Sequence, residues 1–337
     1  MDVKCKVSGG TEMTVSEIAK LAGVSKACVS RYFNHGYVSE EKKKKIKAVV
    51  EQTGYVPAKK MQSQQVTKPT IGVIIPKINS ESISRMIAGV TQVLNREGYR
   101  MLLANTENSV EKEIQYLQSF KLDELAGVIM SATIMTRQHH ELLQSFEVPV
   151  VILGQNVKEY SCVYHDDYGA ALAMADSLAL LGRKHYGAIL VTPEDKAAGE
   201  ARQLGFLDGM KRHNIAVNEK AIVYSDFSLE SGYDAAEKLF MQAPETEGIF
   251  CATDTIAIGA MQYLKGIGKR VPEDVAITGI GHSRMTEIVT PTLTTAHLFY
   301  KSTGVEGADM LLKMIESGID MKNKLKMGFE VIGQESC

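Results

Sequence analysis

The sequence contains no apolar run near the roughly 18 residues that a membrane-spanning helix needs. Its first ten residues, MDVKCKVSGG, also lack the apolar segment of a secretory signal. The five cysteines are scattered and never form a C-x-x-C pair, which argues against both a disulfide framework and a zinc site. These absences predict a cytoplasmic protein that holds no metal and does not contact a membrane.

Sequence motifs of catalysis are missing as well. There is no G-x-S-x-G nucleophile elbow, no G-x-x-x-x-G-K-[ST] phosphate loop and no cluster of ligands at metal-binding spacing. His139 and His140 are adjacent, so they point to different faces of a helix and are poorly placed to share an ion. The HDD stretch at 165–167 falls at a strand-to-helix turn, where Asp167 is expected to act as a cap. We therefore expect no enzymatic activity and no cofactor.

The chain has 337 residues, 45% of them hydrophobic and 23% charged, which is typical of a globular protein with two or three domains. Its charge is unevenly distributed. Residues 1–65 carry twelve Lys and Arg against six Asp and Glu, a balance of +6, and the remainder carries twenty-six against thirty-four, a balance of −8. A basic head on an acidic body indicates that the head binds a polyanion. A segment of 65 residues can also reach a balance of +6 by chance.

Three helices are predicted in the head. Thr14 and Glu17 form the pattern of a capping box before apolar positions at helical spacing. Gly23 interrupts the first helix, Ser25 is placed to cap the second, and the third extends to Gly54. Two short helices joined by a glycine-containing turn make a helix-turn-helix, whose second helix enters the major groove of DNA.

The string AKLAGVSKACVSRYFN, followed by GYVSEEKKKKI and GYVP, closely resembles the head of the LacI/GalR family of transcriptional repressors. The resemblance implies that Lys26, Ala27 and Arg31 contact base edges, for which Lys and Arg suit the guanine acceptors. It also implies phosphate contacts, which position the head without specifying sequence. The further DNA contacts are Thr14, Ser16, Ser25, Ser30, Asn34, Tyr37 and Tyr55. For Lys42–Lys45 a solvated helix face is the preferred interpretation, with phosphate contact as the alternative.

Residues 58–69 are expected to form a hinge. In the resembled family this segment becomes a short helix on DNA, and its leucine enters the minor groove at the operator centre. Here Gln64 takes the position of that leucine and Ala58 replaces the usual asparagine. An apolar wedge favours a bent DNA that wraps more protein surface, so we expect Met61 to insert instead. Met13 is an alternative to Met1 as the initiating residue.

From Ile71 onward, short apolar runs alternate with helical segments. Eight runs have the length and composition of strands buried on both faces, which is typical of parallel sheets covered by helices. Eight strands exceed one comfortable sheet, so we expect a two-lobed α/β domain, like the periplasmic binding proteins, behind the all-α head. The expected ranges are 1–12 for an N-terminal extension, 13–57 for the head, 58–69 for the hinge, about 70–159 with 291–337 for lobe 1, and about 160–290 for lobe 2.

Ligands of doubly wound sheets lie beyond the carboxyl ends of the strands, so two facing lobes would hold a small molecule between them. The stretches CATDTIAIGAMQYL, VYHDDYGA and GIGHS resemble the family's repressors of trehalose and sucrose operons. The last of them replaces the usual G-F-D-D, so one sugar-binding aspartate is absent. The effector contacts that this resemblance implies are Lys77, Ser80, Ser82, Ala132, Gln155, Asp195, Arg202, Asp254, Thr255 and Tyr300.

Two of these positions bear on the nature of the effector. Lys77 stands where such relatives carry an arginine, so a cation for a phosphate remains, without the bidentate geometry of arginine. Gln155 stands where they carry a second arginine, so one charge is lost. Trehalose-6-phosphate, sucrose-6-phosphate and a neutral sugar are all candidates. Asp254 is expected to cap the following helix or to bond ligand hydroxyls, and Tyr300 to stack on a sugar or to pack in the core.

The resemblance implies a repressor of a sugar-utilisation operon that binds operator DNA as a homodimer and is released by its effector. A regulator that needs a corepressor is one alternative, and a sugar-binding protein without DNA activity is another. No heptad repeat follows the last strand, so a dimer is favoured over a tetramer.

Overall fold

A computed structural model of the protein describes residues 14–33, 36–53, 55, 68–319 and 322–337. The chain divides into two compact units between Lys68 and Pro69. The predicted extension 1–12, Asn34 and Met61 lie outside the described residues. No helix of the described part is long and apolar enough to cross a membrane.

The head contains the three predicted helices, α1 (Val15–Leu21), α2 (Lys26–Phe33) and α3 (Glu40–Thr53). The predicted capping box is present: Glu17 N donates to Thr14 Oγ1 at 3.4 Å, and Thr14 N donates to the Glu17 carboxylate at 2.6 Å. The first turn of α1 therefore has partners for two amides that would otherwise lack them.

The second helix is held against the first by its turn and by a small core. Gly23 adopts a φ of 62°, a conformation that costs other residues free energy. Ser25 Oγ then accepts from Cys28 N at 3.3 Å, as expected of a cap for α2. Ile18, Val29 and Ile46, one from each helix, are fully buried in one cluster. This core fixes which face of α2 is turned outward.

The first sheet of the body has six parallel strands. Its continuous burial, for example along β3, is that of a sheet covered on both faces. The order across the sheet is β11-β5-β4-β3-β1-β2. The strands are β1 (Thr70–Ile75), β2 (Arg100–Asn105), β3 (Leu125–Ser131), β4 (Val150–Leu153), β5 (Ser161–His165) and β11 (Lys324–Met327).

The second sheet repeats this order as β12-β10-β9-β8-β6-β7, with β12 antiparallel to β10 and the other pairs parallel. Its strands are β6 (Tyr186–Leu190), β7 (Ile222–Tyr224), β8 (Gly248–Cys251), β9 (Ala276–Ile280), β10 (Thr294–Leu298) and β12 (Phe329–Ile332). The two sheets confirm the expected two-lobed α/β architecture.

Helices cover the faces of both sheets. They are α4 (Glu81–Arg96), α5 (Val110–Leu122), α6 (Arg137–Leu143), α7 (Asp167–Ala179), α8 (Arg202–Arg212), α9 (Leu229–Gln242), α10 (Asp254–Gly266) and α11 (Tyr300–Ser317). A π-helical segment (Lys196–Ala201) leads directly into α8, and short 3₁₀ turns form at Glu219–Ala221 and Arg284–Glu287. Helix α11 packs against α4, β3, β4 and β5, so it belongs to the first lobe although it follows the last parallel strand of the second.

The chain crosses between the lobes three times, and the crossings differ from the expected boundaries. Residues 161–165 form β5 in the first sheet, 294–298 form β10 in the second, and 329–332 form β12 in the second. We expected the first of these in lobe 2 and the other two in lobe 1. The start of the VYHDDYGA stretch belongs to β5, in which Val163 pairs with β4 and Tyr164 and His165 pair with β11. Pairing between distant strands has no local signature in the sequence.

Candidate functional site

A cleft of about 460 Å³ lies between the two lobes, within the range of small-molecule sites. Each strand from β1 to β10 is followed within five residues by a residue that lines it, so the cleft sits at the carboxyl ends of both sheets. All ten residues expected to contact an effector line the cleft, whereas Asn105, the last residue of β2, and His282, which follows β9, do not. The structure brings the predicted set together, and its role in binding stays a prediction.

Arg202 is anchored by a buried ion pair. Its Nε and Nη2 donate to Asp167 Oδ1 at 2.8 and 2.7 Å, Nη1 donates to Ala252 O, and each charged side chain is about 5% exposed. Burial would lower the pKa of Arg202, but the Asp167 carboxylate outweighs it and holds the pKa above its usual range. The expectation that Asp167 caps α7 is therefore wrong. Asp166 is the cap, and it accepts from Gly169 N at 3.2 Å.

Asp254 is not a helix cap either. Thr253 caps α10, where its Oγ1 accepts from Ile256 N at 3.3 Å. The Asp254 carboxylate, 2% exposed, instead accepts from Thr295 Oγ1 at 2.5 Å and from Ser283 N at 2.7 Å. Burial raises the pKa of Asp254 although these hydrogen bonds oppose it. Its bonds join α10 to β10 and to the loop after β9, so it holds together the wall of the second lobe.

Gln155 and Asp195 form a hydrogen-bonded bridge across the cleft. Gln155 Nε2 donates to Thr133 O at 3.0 Å in its own lobe and to Asp195 Oδ1 at 2.8 Å in the other. Asp195 Oδ1 also accepts from Ala197 N and Ala198 N, each at 3.0 Å, and so caps the π-helical segment. Burial raises the pKa of Asp195, and the bond from Gln155 opposes this shift.

Two further contacts between the lobes were not predicted from the sequence. Both Glu81 carboxylate oxygens accept from Arg284 N at 3.1 Å, and Arg85 Nη1 donates to His282 O at 3.0 Å. Both partners lie about 200 positions away in the chain and are backbone atoms, which leave no pattern in side-chain sequence. With the Gln155 bridge, these contacts join the two lobes across the cleft.

Tyr300, the first residue of α11, is buried and lines the cleft. Its ring is edge-on to His165 at 4.9 Å, and the Arg85 guanidinium lies 6.0 Å from the ring centre. Burial lowers the pKa of His165 to about 4, so this imidazole is neutral near pH 7 and shares a 2.8 Å hydrogen bond with Thr303 Oγ1. Tyr300 thus has the packing role considered for it, and one edge remains at the cleft.

Helix α2 presents a polar face. Lys26, Ala27, Ser30 and Arg31 are exposed, whereas Val29 on the opposite side is buried. Among the other predicted DNA contacts, Thr14 and Ser25 are exposed caps, Ser16 is half-buried, and Tyr37 is 91% exposed. The half-buried Tyr55 ring lies 5.8 Å from Phe33. Lys43 and Lys45 pair with Glu40 and Glu41 on the same helix, each at 2.7 Å.

His139 and His140 are separated as their adjacent positions require. His139 is buried against Glu113 at 3.0 Å, and His140 stacks on Tyr160. Within the described ranges, no group of three or more His, Cys, Asp and Glu side chains is arranged to hold a metal ion.

Comparisons with known proteins match both units. The profile of the bacterial regulatory proteins of the lacI family matches residues 14–58, and that of the periplasmic binding protein-like domain matches 175–337. The chain is 32% identical over 303 residues to the sucrose operon repressor of Staphylococcus xylosus, which covers 90% of this chain and 93% of that protein. It is 28% identical over 325 residues to the ribose operon repressor of Bacillus subtilis, and this match covers 96% of this chain and 98% of that protein.

Two solved structures share the fold over nearly the whole chain, 96% and 97% of it. A complex of the transcriptional regulator CelR with cellobiose superposes with a TM-score of 0.75 at 24% identity, covering 96% of this chain and all of that one. The Lac repressor dimer bound to operator and the anti-inducer ONPF superposes with a TM-score of 0.74 at 19% identity, and the match covers 97% of this chain and 99% of that one.

A helix-turn-helix head joined to a two-lobed domain with a small-molecule cleft defines a ligand-responsive regulator of transcription. The chain belongs to the lacI family of bacterial regulatory proteins. The expected fold class and the expected DNA-binding transcriptional repressor are confirmed. Its matched relatives are regulators rather than enzymes.

Proposed function

We propose that the protein represses a sugar-utilisation operon as a cytoplasmic homodimer, and that a sugar-class effector in the cleft between the lobes releases it from the operator. The observation that carries this proposal is the cleft itself, which gathers polar side chains from the strand ends of both lobes. The relatives named for sucrose and ribose operons support the sugar class.

The exposed face of α2 supports sequence-specific DNA binding. Lys26 and Arg31 are long donors on the surface of the second helix of the helix-turn-helix, where they can reach guanine O6 and N7. Two heads of a dimer would occupy half-sites about one helical turn apart. The exposed ring of Tyr37 is suited to a backbone contact beside them.

The first lobe offers a place for a phosphate. Lys77 lines the cleft close to the start of α4, and Ser80 at the N-cap of this helix makes no capping bond with its side chain. Its Oγ lies 2.9 Å from Ser82 Oγ instead. An uncapped helix N-terminus beside a lysine favours an anion. This favours a phosphorylated disaccharide, with a neutral sugar as the second candidate.

The mechanism is linkage between the cleft and the DNA. An effector that binds one arrangement of the lobes more tightly shifts the population toward it, and strand β1 of the first lobe follows directly from the hinge residues. The coupling is reciprocal, so operator DNA must weaken effector binding by the same factor. A corepressor would reverse the sign of both effects.

The test is binding of the purified protein to a labelled fragment of its own upstream DNA, at about 50 mM salt because phosphate contacts are salt-sensitive. Trehalose-6-phosphate, sucrose-6-phosphate and the two free sugars are then titrated. We expect release by a phosphosugar. Release by a free sugar alone would support the repressor function but exclude a phosphorylated effector. Tighter binding of the DNA in the presence of a sugar would indicate a corepressor. Absence of DNA binding at low salt would contradict the proposal.

Variants of the head sharpen this test. Arg31→Ala is expected to weaken operator binding roughly 10- to 100-fold, the range for a bidentate base contact, and to relax base preference. Arg137→Ala, which changes an exposed arginine of the body, is the matched control. If Met61→Ala leaves DNA bending and affinity unchanged, insertion of Met61 into the minor groove is contradicted.

A further inference from the structure

We propose that Gln155 and Asp195 determine the orientation of the effector, because they form a surface that accepts hydrogen bonds and repels anions. A sugar must place hydroxyl groups against this surface, and any phosphate must lie at the β1 end of the cleft beside Lys77. This inference rests on the proposed function, in which the cleft binds a sugar-class effector.

The amide group of Gln155 has no donor left for a ligand. Its nitrogen carries two hydrogens, and both are used, by Thr133 O at 3.0 Å and by Asp195 Oδ1 at 2.8 Å. Both neighbours are acceptors, so a flipped amide would place its oxygen against two oxygens, and the orientation is fixed. The group that remains for a ligand is Gln155 Oε1, an acceptor.

Asp195 likewise offers an acceptor alone. Its Oδ1 receives Gln155 Nε2 and the amides of Ala197 and Ala198, whereas no donor of the described residues reaches its second oxygen. Gln155 and Asp195 are 6% and 3% exposed, and both line the cleft. Two buried acceptors side by side are satisfied by hydroxyl groups, which donate, and not by a phosphate, which does not.

Charge strengthens this selection. The buried cation whose charge reaches Asp195, Arg202, is paired with Asp167, so little of its charge is left to compensate a phosphate near Asp195. Like charges in a buried site cost free energy that a neutral hydroxyl avoids. An anionic group is therefore excluded from this end of the cleft.

Sheet geometry separates the two ends. Lys77 follows β1 and Gln155 follows β4, and β3 lies between these strands, so the two positions are two strand spacings apart, roughly 10 Å. The Lys77 ammonium group makes no hydrogen bond or ion pair with the described residues, although its charge helps to lower the pKa of Asp226. A disaccharide phosphorylated at one end can reach both sites, with its phosphate at Lys77 and its other sugar at Gln155.

The selective surface also depends on closure. Gln155 belongs to the first lobe and Asp195 to the second, so their bond exists while the lobes are close. The same contact that selects the ligand thus stabilises the arrangement that the ligand favours. This links specificity to the conformational change.

The first experiment compares the dissociation constants of trehalose, sucrose and their 6-phosphates by calorimetry. The ratio of the free sugar's constant to that of its phosphate measures how much the phosphate contributes. We expect Lys77→Gln to lower this ratio at least 10-fold, as for loss of a charge-assisted bond. Gln155→Met should weaken both ligands about 3- to 10-fold, as for a neutral hydrogen bond, and leave the ratio unchanged. Lys158→Gln and Gln144→Met, both exposed and outside the cleft lining, are the matched controls.

The second experiment tests the bridge without ligand. Gln155→Met, Asp195→Ala and the double variant are compared by their urea midpoints. Asp195→Ala removes the cap of the π-helical segment in both backgrounds, so that cost cancels in the cycle. We expect the double variant to shift the midpoint by less than the sum of the single shifts.

The outcomes separate the two proposals. A Gln155→Met variant that changes the phosphate ratio as much as Lys77→Gln does would overturn the orientation, and additive midpoint shifts would overturn the bridge. If the wild type binds none of the four sugars while the midpoints are non-additive, the bridge stands, and the effector class under the proposed function is wrong.

Discussion

The two lobes share one strand order but hold their sides of the cleft in different ways. In the second lobe, Arg202 and Asp254 are anchored within their own lobe, Arg202 by Asp167 and Asp254 by Thr295 and Ser283. In the first lobe, several side chains at the cleft bond to the second lobe instead.

Glu81 and Arg85 of the first lobe bind backbone atoms of the second, and Gln155 binds Asp195. The wall of the second lobe is therefore held mainly by bonds within that lobe, whereas that of the first depends on bonds between the lobes. Breaking a bond within the second lobe should cost mainly stability, and breaking a bond between the lobes should cost mainly affinity for the effector.

The largest effect is expected for Arg202→Met, which leaves the Asp167 carboxylate buried without its partner. We expect a loss of about 3–5 kcal/mol in the free energy of unfolding, measured with urea. Arg202→Met combined with Asp167→Leu should recover most of it, because no uncompensated charge remains. Arg137→Met, which breaks an exposed pair with Glu141, should cost at most about 1 kcal/mol. Equal losses of stability for Arg202→Met and Arg137→Met would contradict the view that the Arg202–Asp167 pair stabilises the second lobe.

The next effect is a pH dependence at the junction of the lobes. His165 has a pKa of about 4 in the folded protein, against 6.5 as its ordinary value. Between these values the unfolded chain binds more protons, so stability falls as the pH drops from about 6.5 to 4, by roughly 2–3 kcal/mol.

The raised pKa values of Asp195 and Asp254 act in the opposite sense, because their contribution is lost as pH rises. The difference in the free energy of unfolding between wild type and His165→Gln, measured across this pH range, gives the contribution of the histidine alone. Parallel stability curves for the two proteins across this range would contradict a neutral buried imidazole.

Matched caps in the two lobes should differ in affinity but not in stability. Ser109 caps α5 and Thr253 caps α10, each with one bond to a backbone amide. Ser109→Ala and Thr253→Ala should each cost about 1 kcal/mol in urea unfolding. Thr253 lines the cleft and Ser109 does not, so we expect weaker effector binding for Thr253→Ala alone. Equal affinities would show that this cap does not shape the site.

The smallest change in stability is expected for Arg85→Met. Its bond to His282 O forms between the lobes, so the ligand-free protein should lose less than about 1 kcal/mol. Effector affinity should nevertheless fall several-fold, because closure loses a contact. If Arg85→Met lost as much stability as Arg202→Met, bonds within the second lobe and bonds between the lobes would not differ in their effect on stability.

Local patterns in the sequence predicted local structure well. The capping box of Thr14 and Glu17 and the cap at Ser25 depend on atoms within three positions, and the structure contains them. The apolar runs predicted eight strands at nearly their observed positions, because buried parallel strands are continuously hydrophobic. The ten effector contacts were implied by the family resemblance, and the structure brings all ten to the cleft at the strand ends.

Long-range bonds could not be predicted in the same way. Asp167 was expected to cap a helix, and Asp254 to cap a helix or to bond ligand hydroxyls, but their carboxylates bond to Arg202 and Thr295, 35 and 41 positions away. Strand β11 is short and only partly buried, and β5 was hidden in a segment that resembles a turn. The neighbours of such segments follow from topology, which one sequence does not specify.

The last strands of the two sheets lie next to each other in the chain. Residues 324–327 form an edge of the first sheet, 329–332 form an edge of the second, and the buried Ser336 Oγ donates to Ile277 O and accepts from Thr294 N. During synthesis, neither lobe can therefore finish its sheet until these residues emerge from the ribosome. A nascent chain stopped before Lys324 would carry a complete DNA-binding head and two unfinished lobes, so early termination would remove the sensor as a whole.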